Sequence, residues 1–274
     1  MMYPTLRLLP AALALGLSAL FTPATAQDAS GGPVTADLIE GWQMPDGSRI
    51  DALRLQLAPG WKTYWRAPGD AGIPPSFDWS GSRNLKAVSV LWPTPKVFDQ
   101  NGMTSIGYTG QVILPLAVVT RGKGPAVDVN LTLDIGVCSD ICVPERLELS
   151  GTLDSTGSKP VPAIAAALAE RPFTAREAGA RGVTCTLEPT DRGLKITATL
   201  SLPHSGGTEH VVIEAGRPDV WVSEAESSRS GNTLTATAEM IANGGGLLSL
   251  DRSAIRFTVL GKSHAVDLHG CTAG

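Results

Sequence analysis

Residues Val127–Pro144 read VDVNLTLDIGVCSDICVP, and this stretch decides the fold. Apolar and polar residues alternate up to Ile135, which is the period of a β-strand with one buried face. Cys138 and Cys142 follow, separated by a serine, an aspartate and an isoleucine. In an extended chain their Cα atoms would lie about 13 Å apart, whereas a disulfide needs about 4.4–6.8 Å. Because serine and aspartate form turns, the stretch predicts a strand, a tight turn and a second strand, with one thiol on each limb.

A disulfide between Cys138 and Cys142 would close a very small ring. It would remove little chain entropy from the unfolded state, so it would stabilise the fold only slightly. Two close thiols suit thiol–disulfide exchange, because the second thiol can resolve a mixed disulfide formed by the first. A static structural bond and a metal site are the alternatives. Thiolates favour copper(I), but every histidine lies at position 204 or later.

The N-terminus has the features of an export signal. Arg7 precedes Leu8–Phe21, an apolar run of about 14 residues, and Ala24–Ala26 matches a small-x-small cleavage site. The run is short for a membrane span, which needs about 20 residues. We expect residues 1–26 to be a signal peptide cleaved after Ala26, and the mature chain to be periplasmic without stable membrane insertion. An uncleaved anchor is the alternative.

Composition excludes several classes of function. The net charge is −4 and there is no basic block, so nucleic acid is not an expected partner. Signatures of serine hydrolases, zinc peptidases, phosphate-binding loops and dinucleotide-binding folds are absent, and no cofactor is expected. Abundant Gly, Pro, Thr and Val with few aromatic residues are typical of a β-protein with many turns.

The strand pattern predicts an all-β chain of two immunoglobulin-like β-sandwich domains joined by a short helical linker. The first domain is expected at residues 27–153, the linker at 154–172 and the second domain at 173–274. The linker contains Val161–Glu170, an alanine-rich helical stretch between two prolines. Strands of the second domain are expected at Val183–Leu187, Leu194–Leu202, His210–Glu214, Val220–Glu224, Thr233–Met240, Ala254–Leu260 and His264–Leu268.

Two details of the first domain can be tested against a structure. In Arg49–Leu57 the polar residues are expected mostly on one face, with a bulge where the alternation slips at Ala52–Leu53. The polar residues of Arg49–Leu57 are Arg49, Asp51, Arg54 and Gln56. The second detail is Lys96–Ile106, which has no clear period and is expected to be irregular.

An aromatic segment precedes a long loop. Trp61–Arg66 is a short expected strand, and Ala67–Pro75 is a loop with three prolines. Long ordered loops are often functional rather than mere connections. The alternatives are that the aromatic side chains belong to the core and that the loop is a simple crossover.

The other two cysteines, Cys185 and Cys271, lie near opposite ends of the second domain. A bond between them would close a long loop and stabilise the fold by roughly 4–5 kcal/mol in the chain-entropy model, which favours a structural disulfide. The spacing of His264, His269 and Cys271 also allows a functional site, although such a pattern in a strand is more often incidental.

Several motifs resemble one known family. They are Gly60–Pro75 (GWKTYWRAPGDAGIPP), Phe77–Trp79 (FDW), Gly107–Tyr108 and Gly136–Pro144 (GVCSDICVP). In this order they resemble the N-terminal periplasmic region of the DsbD/ScsB thiol:disulfide interchange family. The resemblance covers about residues 34–152, and the second domain is similar to the extra domain of the ScsB-type branch.

The resemblance implies an immunoglobulin-like domain whose redox-active cysteine pair takes electrons from a membrane-embedded relay and passes them to periplasmic partners. It assigns mixed-disulfide formation to Cys142 and its resolution to Cys138. The family has a loop that shields the pair. The residues expected to contribute to a shield here are Trp61, Tyr64, Trp65 and Asp70.

Two features depart from the larger members of the family. Those members continue into a membrane domain and a thioredoxin domain, whereas this sequence stops at Gly274, and the best-known branch has a five-residue gap between its cysteines. We therefore expect a periplasmic thiol–disulfide carrier, or a component of a protein-disulfide reductase, whose membrane relay is a separate chain. The alternative is a non-catalytic periplasmic module that binds a protein or copper and has structural disulfides.

Overall fold

The computed structural model describes residue 1 and residues 32–70, 72–100, 103–122, 124, 126–154, 156–245 and 248–274. Apart from Met1, the expected signal peptide and its cleavage site after Ala26 lie outside these residues. Within these ranges, no helix has the length and apolar character needed to cross a bilayer.

The first half of the chain forms two β-sheets. Its strands are β1 (Val34–Gln43), β2 (Arg49–Leu57), β3 (Lys62–Tyr64), β4 (Ser76–Asp78), β5 (Leu85–Val90), β6 (Lys96–Gln100), β7 (Met103–Thr109), β8 (Gln111–Thr120), β9 (Val127–Cys138) and β10 (Cys142–Leu153). A four-stranded sheet has the order β1-β2-β8-β5, and a six-stranded sheet has the order β10-β9-β3-β7-β6, with β4 also paired to β9. The expectation that Lys96–Ile106 is irregular is wrong, because it contains β6 and most of β7, an antiparallel pair.

The core of the first half lies between these two sheets. The alternation in β9 is confirmed, because its apolar residues from Val127 to Ile135 are buried and the polar residues between them are partly or fully exposed. They belong to one cluster with Leu53 of β2 and Leu116 of β8. Each buried Leu contributes roughly 1.5–3 kcal/mol relative to an exposed one. Burial of one face thus fixes the register in which β9 meets its neighbours.

The prediction that the polar residues of β2 lie mostly on one face, with a bulge at Ala52–Leu53, is wrong. β2 pairs with β8 without a register shift, and the irregularity lies in β1 between Ile39 and Trp42. Arg49 and Asp51 therefore point inward together with the leucines of β2, and they are only 1% and 0% exposed.

Pairing makes this burial tolerable. The Nε and Nη2 atoms of Arg49 donate to the two carboxylate oxygens of Asp51 at 3.1 and 2.9 Å. Arg49 Nη1 donates to the carbonyl of Leu153 at 3.0 Å, and the amide of Gly41 donates to Asp51. The buried pair thus connects β1, β2 and the end of β10.

The second half forms two further sheets. Its elements are α1 (Pro162–Ala169), β11 (Phe173–Thr174), β12 (Gly182–Pro189), β13 (Leu194–Ser201), β14 (His210–Glu214), β15 (Val220–Val222), β16 (Glu226–Ser230), β17 (Thr233–Ala242), β18 (Arg256–Leu260), β19 (Ala265–His269) and β20 (Thr272–Ala273). One sheet has the order β11-β19-β18-β14, and the other has the order β15-β17-β13-β12-β20 with β16 on β17. The all-β class and the short helix are confirmed, whereas β11, β16 and β20 were not expected.

Apolar contacts connect the two halves. Leu260 and Ala265 of the second half belong to the core cluster of the first. Ile164 of α1 is buried in a smaller cluster with Trp42 and Ile50. Gly31–Gly274 is one compact unit, so the domain boundary at residues 154–172 stays a prediction.

The buried pair in β2 gives a first prediction. Asp51→Ala leaves the Arg49 guanidinium buried without its counter-charge, which should cost about 3–5 kcal/mol in the free energy of unfolding, measured with urea. Asp37→Ala is the matched control, because it breaks an exposed ion pair with Arg54 and should cost about 1 kcal/mol or less. Equal losses in the two variants would contradict a dominant role for burial.

Candidate functional site

The Cys138–Cys142 disulfide lies at the end of a β-hairpin. Cys138 ends β9, Cys142 begins β10, and the two are register partners. The amide of Ser139 donates to the carbonyl of Ile141 at 3.0 Å, which closes the turn. The Cα atoms of the two cysteines are 4.1 Å apart. The structure therefore contains the strand, turn and strand that the sequence predicted.

The two cysteines differ in exposure. Cys138 is 1% exposed, whereas Cys142 is an exposed residue. Ile141 beside it is 65% exposed and gives the hairpin tip an apolar surface. Cys142 is therefore the more open of the two cysteines to a thiolate from another molecule.

Tyr64 brings a hydroxyl group to the buried sulfur. Its oxygen lies 2.8 Å from Sγ of Cys138 and 3.4 Å from Sγ of Cys142. Burial raises the pKa of Tyr64, so its phenol stays protonated at neutral pH and can donate to sulfur. A donor at this distance would stabilise a thiolate on Cys138 once the disulfide opens, because hydrogen bonds to a charged form favour that form.

Gly136 allows the Tyr64 ring to pack closely on β9. A Cβ atom at Gly136 would lie 3.0 Å from two ring carbons of Tyr64 and 2.9 Å from Cβ of Ile73. The carbonyl of Pro68 accepts a hydrogen bond from the amide of Ile106 at 2.8 Å, so the chain after β3 stays against the sheet. This segment thus returns over the face that carries the sulfurs.

The four residues expected to form a shield do not lie together: some are in the core, one is exposed and one contacts the disulfide. Trp65 is fully buried in the first core and Trp61 packs against it. These positions agree with the alternative stated above, in which the aromatic side chains belong to the core. Asp70 is exposed. Tyr64 is the member of this set that contacts sulfur. A shielding role for the segment stays a prediction.

Lys62 occupies the position beside Cys138 on the neighbouring strand β3. It is 6% exposed, its Nζ donates to Oγ of Ser105 at 2.8 Å, and the same atom lies 5.1 Å from the ring centre of Phe98. Burial lowers the pKa of Lys62. Lys62, Phe98, Cys138 and Ser139 line a cleft of about 520 Å³, which we call the sulfur cleft.

Arg66 connects this site to the second half of the chain. Its Nε and Nη2 atoms donate to the carboxylate of Glu214 on β14 at 3.1 and 3.0 Å, and Nη2 also donates to Thr258 on β18 at 3.1 Å. The guanidinium lies 3.8 Å from the ring centre of Trp65. Burial lowers the pKa of Arg66, whereas the charge of Glu214 acts in the opposite direction.

Three consecutive residues thus contact three parts of the molecule. Tyr64 contacts the disulfide, Trp65 fills the first core and Arg66 pairs with the second half. Sequence reasoning did not identify Lys62, Arg66 or Glu214. No local pattern marks the Arg66–Glu214 pair, because its members are 148 positions apart.

The second disulfide joins Cys185 of β12 to Cys271, with Cα atoms 5.7 Å apart. Cys185 is 1% exposed, and Nη1 of Arg252 donates to its carbonyl at 3.0 Å. A structural role for this bond stays a prediction.

The two histidines that the sequence offered for a site with Cys271 each contact a different residue. His264 stacks on Phe173 at 5.1 Å, and His269 lies 3.5 Å from Asp267. In the part of the chain that the structure describes, no group of three or more His, Cys, Asp or Glu side chains has a metal-binding arrangement.

Comparison with known proteins identifies the first half. The family described as "Thiol:disulfide interchange protein DsbD, N-terminal" matches residues 35–153. This region is a DsbD/ScsB-type N-terminal domain. The matched region contains both cysteines of the hairpin as well as Lys62, Tyr64 and Arg66.

A solved structure shares the fold over most of the chain. It is the N-terminal periplasmic domain of ScsB from Proteus mirabilis, with 22% sequence identity and a TM-score of 0.65. The alignment covers 90% of this chain and 96% of that one. Because the alignment includes both halves, the arrangement of β-sheets after the DsbD-type domain also occurs in a ScsB protein. A comparison with curated protein sequences gave no match.

The hydroxyl group of Tyr64 leads to a second prediction. Tyr64→Phe should slow reduction of the Cys138–Cys142 bond by dithiothreitol by about ten- to a hundredfold, because the departing Cys138 thiolate loses a hydrogen bond worth roughly 1.5–3 kcal/mol. The rate can be followed by trapping free thiols and separating the products on gels. Tyr108→Phe is the matched control, because it removes a buried hydroxyl that donates to Pro93 instead. Similar rates for wild type and Tyr64→Phe would rule out this role.

A third prediction concerns the link to the second half. Glu214→Gln removes the counter-charge of buried Arg66, which should displace the end of β3 and slow the same reduction several-fold. In a Tyr64→Phe background, Glu214→Gln should have little further effect, because residues that act through one contact are not additive. Asp219→Asn, which breaks an exposed pair with Arg217, is the control. Fully additive effects would show that Glu214 acts independently of Tyr64.

Proposed function

We propose that this protein is a periplasmic thiol–disulfide carrier that accepts and donates electrons through Cys138 and Cys142. The observation that carries this proposal is the asymmetry of the bond. Cys142 is an exposed residue, whereas Cys138 is buried with a tyrosine hydroxyl 2.8 Å from its sulfur. Attack on the sulfur of Cys142 produces a leaving group on Cys138, where the protein supplies a donor.

Reduction of the carrier takes two exchange steps. A thiolate of the electron donor attacks Sγ of Cys142, the bond between the two cysteines breaks, and Cys138 leaves as a thiolate that accepts a hydrogen bond from Tyr64. A second thiolate of the donor then attacks the donor sulfur in the mixed disulfide and releases Cys142. The donor is oxidised to a disulfide, and the carrier gains two electrons and two protons.

Delivery of electrons reverses these roles. Reduced Cys142 attacks the disulfide of a client, and a mixed disulfide forms between Cys142 and the client. Cys138 then attacks Sγ of Cys142, which releases the reduced client and restores the bond. The buried position of Cys138 suits this resolving step, because Cys138 meets Cys142 within one hairpin and is less open to other thiols.

The DsbD-type domain at residues 35–153 supports this assignment. In the proposal the electron donor is a membrane relay, and the clients are periplasmic thiol–disulfide proteins. Residues 1–26 would direct export, residues 27–153 would carry the redox pair, and residues 173–274 would follow the linker at 154–172 as a second domain.

Trapping of partners tests the proposal. Cys138→Ala retains the exposed nucleophile but removes the resolving thiol, so it should accumulate mixed disulfides with periplasmic proteins on non-reducing gels. Cys142→Ala is the matched control and should accumulate few, because its remaining thiol is buried. Equal trapping by both variants, or trapping by neither, would contradict the proposed roles.

The reduction potential of the Cys138–Cys142 bond provides an independent check. A carrier needs a bond that the thiols of its partners can open, so the potential should lie above about −300 mV. It can be measured by equilibration with dithiothreitol buffers. A value well below that limit would mark the bond as structural and favour a non-catalytic binding module.

A further inference from the structure

Another cleft, which we call the edge cleft, lies between β6 and the chain after β18. Its volume is about 600 Å³. The first half lines it with the consecutive residues Thr94–Phe98, and the second half contributes Leu260–Lys262. A strand that presents one face to a cleft would contribute alternate residues, because successive side chains point to opposite faces. The consecutive lining therefore indicates that the cleft runs along the edge of β6.

β6 has an edge that can accept another strand. It is the last strand in the order β10-β9-β3-β7-β6, and within the described ranges β7 is the strand paired with it. An edge strand presents backbone N–H and C=O groups to which an extended peptide can add by strand pairing. The edge cleft provides space for such a peptide beside β6.

The charge of the edge cleft favours an acidic occupant. Lys96 and Lys262 are exposed at its two sides, and His210 also lines it. Its described lining contains neither Asp nor Glu. The whole chain has a net charge of −4, so this cleft is a local positive region on an acidic protein. Carboxylate side chains on a bound segment would complement it.

The edge cleft adjoins the redox site. Val97 and Phe98 line both the edge cleft and the sulfur cleft, and the sulfur cleft also contains Lys62 and Cys138. The ring of Phe98 contacts the ammonium group of Lys62. A segment bound along β6 would therefore continue directly toward the disulfide.

We propose that the edge cleft docks an extended acidic segment of a thiol–disulfide partner, added as a strand to β6. Carboxylates of this segment would pair with Lys96 and Lys262, and its apolar residues would contact Val97 and Phe98. The sulfur cleft ends at Cys138, which is bonded to Cys142, so docking would place the partner thiol near this disulfide. This inference rests on the proposed function and adds the chemistry of the partner.

Synthetic peptides with one cysteine test the proposal. One peptide alternates Glu with Val, a matched peptide alternates Lys with Val, and dithiothreitol serves as an uncharged thiol. At low ionic strength the acidic peptide should open the Cys138–Cys142 bond, by forming a mixed disulfide with the protein, at least about tenfold faster than the basic one. The difference should shrink as salt is added, because salt screens exposed charges.

Charge-reversal variants locate the effect. Lys96→Glu combined with Lys262→Glu should abolish or reverse the preference for the acidic peptide. Lys86→Glu combined with Lys159→Glu changes the net charge equally at exposed lysines outside the edge cleft, so it should retain the preference. Equal changes in both double variants, or no preference in wild type, would overturn the docking proposal.

Two further measurements test strand addition and distinguish a failure of docking from a failure of the proposed function. An acidic peptide that is N-methylated at alternate residues should lose its advantage, since strand addition needs backbone N–H groups. If it reacts as fast as the unmodified peptide, strand addition is overturned. The rate with dithiothreitol should be equal in all variants. Normal reduction by dithiothreitol without any peptide preference would contradict docking alone, whereas resistance to dithiothreitol would contradict the proposed function.

Discussion

The position of β3 between β9 and β7 is the constraint on which the site depends. Register pairs Lys62 with both Cys138 and Thr109, so this short strand is hydrogen-bonded on both sides. Alternation then places Tyr64 on the sulfur-bearing face, while Trp65, immediately after the strand, is buried in the core. A shift of one residue would exchange these faces, and the hydroxyl would leave the sulfur. The position of the Tyr64 hydroxyl at the disulfide is therefore fixed by sheet packing.

The hairpin gives the two cysteines different exposure. Both belong to one turn, yet β9 lies inside its sheet with β3 beside it, whereas β10 is an edge strand. Cys138 is consequently covered and Cys142 is open. In the proposed mechanism this difference separates an attacking cysteine from a resolving one, because the more exposed cysteine is the one that other thiols meet first.

Local patterns in the sequence were sufficient for part of this structure. Alternation before Cys138 and turn formers after it predicted the hairpin, and the ordered motifs indicated the DsbD/ScsB family. The polar face of β2 was misjudged because Arg49 and Asp51 neutralise each other in the core, which no periodicity reveals. β16 was missed because its sequence, ESSRS, is polar and mostly exposed. Pairs distant in the chain, such as Arg66 and Glu214, have no local signal at all.

The second half contributes to the redox site through burial of a charge. A guanidinium that leaves water must be paired, and Arg66 finds its carboxylate on Glu214 rather than within its own half. Leu260 and Ala265 extend the first core across the same boundary. Separation of the halves would expose this apolar surface and leave Arg66 without its partner next to Trp65. Because Tyr64 lies two residues from Arg66, the segment that contacts the sulfur is also paired with residues outside the DsbD-type region.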